Sequence, residues 1–150
     1  LWTSREEAEE WIRRPLPLVD VLKLSQEELE LVSGSGGLEA GTAALADLGI
    51  RLVLVTLGGR GAFYRLGGRT GLVSGVPARV ADTNGAGDTF QGAVLSCLCR
   101  RSAGPLEGLD AAELEEILTF ANRAAAWTCS RPGAIPAMPC LEDLRPAADR

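Results

Sequence analysis

Ala8, Trp11 and Ile12 recur at helical spacing behind Ser4 and the first turn Arg5-Glu6-Glu7, which predicts a helix over residues 4–14 that Pro15 stops. Residues 18–24 are almost continuously apolar, the pattern of a strand covered on both faces. Ser25, with Glu28 three positions on, has the spacing of a capping box and opens a second predicted helix over 26–32. Ser33-Gly34-Ser35-Gly36-Gly37 breaks that helix, and a third is expected over 38–48, closed by Gly49. Residues 51–57 form the clearest strand pattern, apolar on both faces. Strand, helix, helix, strand at this spacing is the alternation of a doubly wound α/β layer.

Glycine pairs then punctuate residues 58–80, and 62–66, 69–74 and 78–80 are expected to be short antiparallel strands. Helical spacing returns after Gly85 (Phe90, Ala93, Val94, Cys97, Leu98) and again over 111–128, with residues 101–108 as the loop between. The 150 residues, 46% hydrophobic and 23% charged, have the size and balance of one soluble domain, and no apolar run is long enough to cross a bilayer. The chain opens at Leu1 with no strand ahead of its first helix, which leads us to expect a piece of a longer protein.

Charge changes the picture in one place. Residues 51–81 hold Arg51, Arg60, Arg65, Arg69 and Arg79 and no acid, inside a chain of formal net charge -5. A local basic stretch in an acidic chain argues against general nucleic-acid binding; it suits either a small polyanion at one site or a set of solubilising loop arginines. The absence of histidine excludes a Ser-His-Asp triad, a Cys-His pair and any His-containing metal site within these residues. Cys97, Cys99, Cys129 and Cys140 lack metal or disulfide spacing and are expected to be buried thiols in a reducing compartment.

The densest unusual cluster is Asp82-Thr83-Asn84-Gly85-Ala86-Gly87-Asp88-Thr89-Phe90. Two glycines and an alanine ahead of a helix let backbone approach a ligand closely, and the unpaired N–H groups of a first turn bind anions. A carboxylate beside such a cradle makes sense if it takes a proton from a group attacking a phosphate; the same residues also fit an ordinary helix-capping arrangement.

Residues 82–95, DTNGAGDTFQGAVL, resemble the C-terminal signature of the ribokinase-like (PfkB) carbohydrate kinases, DTxGAGD followed by a helix. Lys23-Leu24-Ser25-Gln26-Glu27-Glu28 resembles the family's N-x-x-E element near metal and phosphates, with Ser25 in place of asparagine, as in fructokinase-like members. Thr56-Leu57-Gly58-Gly59-Arg60-Gly61-Ala62 resembles its nucleotide-side strand and turn. Phe120-Ala121-Asn122 and Arg131-Pro132-Gly133-Ala134-Ile135-Pro136 resemble its adenine-side helix and closing loop, so the likeness covers about residues 18–140 in consistent order. With the opening Leu1-Trp2, the pattern is most similar to fructokinases.

The resemblance implies an α/β, three-layer doubly wound ribokinase-like fold, of which this chain holds the C-terminal, nucleotide-binding portion with a small antiparallel segment; the N-terminal half with the lid and most sugar contacts is absent. It implies ATP-dependent phosphorylation of a sugar hydroxyl, with Asp88 as base and the N–H groups around Gly85, Ala86 and Gly87 as the anion hole. Lys23, Ser25, Glu28, Thr56, Gly58, Gly61 and Asn122 would bind the nucleotide. Glu28 would position Mg2+ through water, and a monovalent cation such as K+ would sit near Asp82 and Gly133. Plainer readings stand beside these: a capping-box acid for Glu28, a strand end and turn for Thr56 to Gly61, a helix-surface asparagine for Asn122. A 2-keto-3-deoxygluconate or nucleoside kinase of the same fold, or a non-catalytic nucleotide-binding fragment, remain alternatives. The partners implied are ATP and a small sugar, with no nucleic acid or membrane, a cytoplasmic location and a homodimer in the full-length form.

Overall fold

A computed structural model of the chain describes residues 3–144, so the opening Leu1-Trp2 lies outside the described residues. The chain divides into two compact units, Leu1–Leu57 with Ala62–Leu72, and Gly58–Gly61 with Val73–Arg150.

In the first unit Ser4 caps α1 (Arg5–Arg13), its hydroxyl accepting the Glu7 N–H at 3.1 Å. After a 3-10 turn at Leu16–Leu18 come β1 (Val21–Ser25), α2 (Gln26–Ser33), α3 (Leu38–Ala46) and β2 (Leu52–Thr56), and then β3 (Gly61–Leu66) and β4 (Arg69–Ser74), whose residues Gly61, Val73 and Ser74 count with the second unit. The strands form one sheet in the order β1-β2-β3-β4. β1 and β2 are parallel, in register from Val21 opposite Leu52 to Ser25 opposite Thr56. Parallel neighbours need a long crossover, and α2 and α3 supply it. β2 and β3 are antiparallel, and β3 turns into β4 through Gly67-Gly68, with Gly67 at φ +56°.

The crossover helices cover the sheet with Leu29, Val32 and Leu45, which pack with Leu24, Val53, Val55, Leu57 and Phe63. Burying each such side chain contributes roughly 1.5–3 kcal/mol. Leu52, Val53, Leu54 and Val55 are all 0% exposed, so β2 is buried on both faces as expected. β1 corrects its expectation: it begins at Val21, only Leu24 in it is buried, and Leu18 is 88% exposed in the preceding turn. Among the described residues β1 has one hydrogen-bonded neighbour, β2, and the apolar run 18–24 was too uniform to show that.

In the second unit, α4 (Ala86–Cys99) and α5 (Ala111–Cys129) pack together. Phe90, Val94 and Leu98 of α4 are buried, as are Leu114, Ile117, Leu118, Ala121 and Ala124 of α5. Asp110 caps α5 by accepting the Glu113 N–H at 2.9 Å. The loop between the helices is organised by Arg101, which binds both carboxylate oxygens of Glu113 at 2.7 and 2.9 Å and the carbonyls of Gly104, Pro105 and Glu107.

Three further expectations are corrected. Residues 78–80 form no strand. Trp11 is 52% exposed instead of facing a core, with the Arg14 guanidinium 5.5 Å from its ring centroid. The cysteines are not a buried set, since Cys97 and Cys129 are half-buried and Cys99 and Cys140 exposed. In the basic stretch, which admits two readings, Arg65 bonds Glu39 at 2.8 Å and the Thr42 hydroxyl at 3.0 Å, and Arg51 pairs with Asp20 at 3.9 Å.

Candidate functional site

The segment before α4 is held by the end of α5 and the residues that follow it. The N–H groups of Ala81 and Asp82 both donate to the Cys129 carbonyl, at 2.8 and 3.2 Å. The Asp82 carboxylate accepts the Asn84 N–H at 3.0 Å on one oxygen and the Gly133 N–H at 2.9 Å on the other. Thr83 to Ala86 closes a turn with the Ala86 N–H on the Thr83 carbonyl at 3.3 Å. Gly85 has φ +77° and ψ -3° there, the left-handed position a type II turn reserves for glycine. Its α-carbon also packs on the next segment, because an added Cβ would lie 3.0 Å from that of Ala134.

This geometry sorts the amides of the turn. The Ala86 N–H, expected to face an anion, is used by the turn itself, which corrects its place among the donors. Among the described residues, no protein oxygen accepts from the N–H of Gly85, Gly87 or Asp88, while the Thr89 N–H bonds the Gly85 carbonyl at 2.9 Å. The Asp88 N–H was not anticipated. The Asn84-Gly85 pair, a strong turn signal, marks Thr83 to Ala86 as a closed turn and shifts the free donors one residue on. The Asp88 side chain is exposed and has no partner among the described residues. It lines a cleft of about 330 Å³ with Thr89, Gly92, Phe120, Met138 and Cys140. Helix-start donors beside an unpaired carboxylate can hold an anion and accept a proton next to it.

The two N–H bonds, that of Asn84 foremost and then that of Gly133, hold the Asp82 carboxyl below the ordinary aspartate range. A group depressed in the folded state stabilises it above its unfolded pKa, about 3.9. That contribution fades as pH falls below this value and is gone beneath the folded pKa. Asp82→Asn keeps one acceptor oxygen for two donors, so its melting temperature should be lower than wild type at pH 7, with the gap closing in acid. Thermal melts from pH 7 to 2 measure this; a gap unchanged in acid would remove the charge from the account. The backbone carbonyls of Asp82 and Gly133, neither of which accepts a hydrogen bond among the described residues, would be free to serve a cation beside them.

In the first unit the register places Ser25 beside Thr56 at the carboxyl ends of the parallel strands, where open α/β sheets present ligand sites. The Thr56 hydroxyl donates to the Leu24 carbonyl at 3.3 Å. The capping box is complete: Ser25 Oγ accepts the Glu28 N–H at 3.2 Å, and Glu28 Oε2 accepts the Ser25 N–H at 2.6 Å. Glu28 is therefore a capping acid, exposed, whose other oxygen has no partner among the described residues. Lys23 is half-buried two residues back on β1, opposite Leu54.

Of the remaining sequence-derived candidates, Gly58 has φ +59° and open space where a Cβ would stand. Gly61 is different. At φ +103°, its missing side chain makes room for the Val73 carbonyl and the Gly75 nitrogen, so its glycine is accounted for by protein backbone. Asn122 is 7% exposed, not a surface residue, and its amide donates to the carbonyls of Val73 and Ser74 at 3.3 and 3.1 Å. Lys23, Ser25, Glu28 and Thr56 fall in the first unit; Gly58, Gly61, residues 82–88, Asn122 and Gly133 fall in the second.

The model of the pfkB family carbohydrate kinases matches residues 1–140. The chain is 40% identical over 146 residues to the probable fructokinase-4 of Arabidopsis thaliana, covering 97% of this chain and 44% of that relative. It is 39% identical over 144 residues to fructokinase-2 of Solanum lycopersicum, covering 95% and 43%. Among solved structures it resembles a fructokinase from Vibrio cholerae O395 in a fructose, ADP and calcium ion bound form, with a TM-score of 0.85, 34% identity and coverage of 95% of this chain and 45% of that one. An aminoimidazole riboside kinase from Salmonella enterica, complexed with aminoimidazole riboside and an ATP analog, gives a TM-score of 0.81 at 31% identity, covering 95% and 46%. The chain thus spans under half the length of the curated relatives it matches. The fold is ribokinase-like, a mixed α/β sheet with helices, and since it, the order of the glycine-rich elements and the family match all agree, the chain belongs to the pfkB family of carbohydrate kinases.

Proposed function

We propose that this chain is the C-terminal, nucleotide-binding part of an ATP-dependent sugar kinase that phosphorylates a sugar hydroxyl, with fructose as the first candidate. The observation that carries the reading is the start of α4: unpartnered N–H groups at Gly85, Gly87 and Asp88 next to an exposed, unpaired Asp88 carboxylate. In this reading Asp88 accepts the proton of the sugar hydroxyl as its oxygen attacks the γ-phosphorus in line. The amides, already oriented by the turn, stabilise charge on the transferred phosphoryl oxygens without reorienting.

Lys23, Ser25, Thr56, Gly58 and Asn122 serve the nucleotide. The single unpartnered oxygen of Glu28 suits Mg2+, which keeps most of its water and takes few protein ligands. When bound, the ion neutralises phosphate charge; among the described residues no cluster of three acidic, cysteine or histidine side chains is gathered to hold it otherwise. K+ is assigned to the carbonyls of Asp82 and Gly133. No helix among the described residues is long and apolar enough to cross a membrane.

The test is ADP release by the complete protein carrying this chain, offered ATP with fructose, other hexoses, 2-keto-3-deoxygluconate and nucleosides. Turnover with fructose is expected; ATP-dependent turnover with none of them overturns the reading, and preference for a nucleoside moves the substrate class. The 150 residues alone are expected to phosphorylate none, because positioning a hydroxyl for an effectively unimolecular attack needs sugar-side residues, which we place in the remainder of the complete protein. Fructose-dependent ADP release by the isolated chain would refute that expectation.

A further inference from the structure

Thr89, immediately after Asp88, points its hydroxyl away from solvent onto α5, where Thr89 Oγ1 and Thr128 Oγ1 meet at 2.9 Å. Thr89 is 8% exposed and Thr128 0%. Thr128 sits in the last turn of α5 and also reaches the Ala124 carbonyl at 3.4 Å. Phe90, next to Thr89 in sequence, and Ala124, whose carbonyl Thr128 reaches, are both 1% exposed. In such surroundings the pair matters most to Thr89: losing the Thr128 hydroxyl leaves that of Thr89 buried without a partner, whereas Thr128 keeps the Ala124 carbonyl. The contact is also directional, which the surrounding hydrocarbon packing is not. Phe90, Val94 and Leu98 fix how far α4 lies from α5, whereas the hydroxyl pair fixes the rotation and axial position of the first turn of α4.

Resting on the kinase reading above, we propose that Thr128 is a positioning residue for phosphoryl transfer: through Thr89 it sets the direction of the Asp88 carboxylate and of the Gly87 and Asp88 N–H groups. Neither threonine touches the reacting atoms. The Asp82 and Gly85 contacts anchor the turn from its other end, so the start of α4 is held on both sides by the segment 128–134.

Thr128→Val keeps the shape and removes the hydroxyl; Thr128→Ser keeps the hydroxyl and removes a methyl. In the complete protein, Thr128→Val should lower kcat about 10-fold or more with KM for ATP within about 2-fold, since small misplacements of reacting groups cost rate and not ground-state binding. Thr128→Ser should restore kcat to within about 3-fold of wild type, a rescue that a purely packing role would not give. An unchanged kcat in Thr128→Val, or Thr128→Ser as slow as Thr128→Val, overturns the proposal. Hydrogen exchange of the Thr89 N–H, which bonds the Gly85 carbonyl at 2.9 Å, supplies a readout independent of activity. It should quicken about 10-fold in Thr128→Val and stay near wild type in Thr128→Ser. Asp88→Asn, run in parallel, separates the two ideas. Full turnover there removes Asp88 as the base while leaving the kinase activity itself, and the exchange result then decides whether Thr128 holds the turn.

Discussion

Asp88→Asn in the complete protein is expected to lower kcat by about 10²-fold or more while ATP affinity changes little, the pattern of a lost general base. The substitution keeps size and one acceptor oxygen but replaces the other with an amide NH2, removing the proton acceptor. Asp88 is exposed and its side chain makes no hydrogen bond or ion pair among the described residues, so its substitution breaks no such bond in the fold. The amide of residue 88 stays on the backbone, and the anion-facing donors survive the change. Steady-state kinetics with ATP and sugar varied independently, together with a melting curve, measure all three parts. Turnover near wild type would exclude Asp88 from proton transfer; a fall in melting temperature matching the fall in rate would make the residue structural.

Gly61→Ala is expected to destabilise the protein by roughly 3 kcal/mol or more, among the larger single-residue effects. Two costs combine. The backbone holds φ +103°, a region that residues with a Cβ avoid. The new methyl would also run into the Val73 carbonyl and Gly75 nitrogen, backbone atoms that cannot rotate aside. Gly58→Ala, three residues earlier, is the comparison: φ is +59° but nothing lies within 4 Å of the added carbon, so only backbone strain of about 1 kcal/mol remains. Urea unfolding of the two variants separates the terms. Equal losses would mean that the approach of Val73 is relieved by a small shift of β4.

Much of the fold was legible because its signals are local. The capping box of Ser25 and Glu28, the glycine break after α2 and the apolar run of β2 each depend on a few neighbouring residues, and each stands where the pattern places it. The misreadings share a different cause. Whether residues 18–24 are covered on one face or two, whether 78–80 finds a ladder partner, and whether Trp11 meets a core depend on what packs against them, which periodicity does not carry. The partner of Arg65 was not legible for the same reason, since Glu39 lies 26 residues away in sequence and no window joins them.

The glycine-rich turn was legible as an anion cradle, but which amides it leaves free was not, because the Ala86 N–H is spent on closing the Thr83 turn. Glu28 shows that a functional and a structural reading need not compete. One carboxylate oxygen completes the cap and the other is left over.

The Asp82 bond to the Gly133 nitrogen, 51 residues downstream, has a wider consequence. A stretch of sequence that looks self-sufficient borrows its shape from a strap on the far side of α5. Transplanted onto another helix without that strap, the same letters would carry the chemistry's ingredients and none of its geometry.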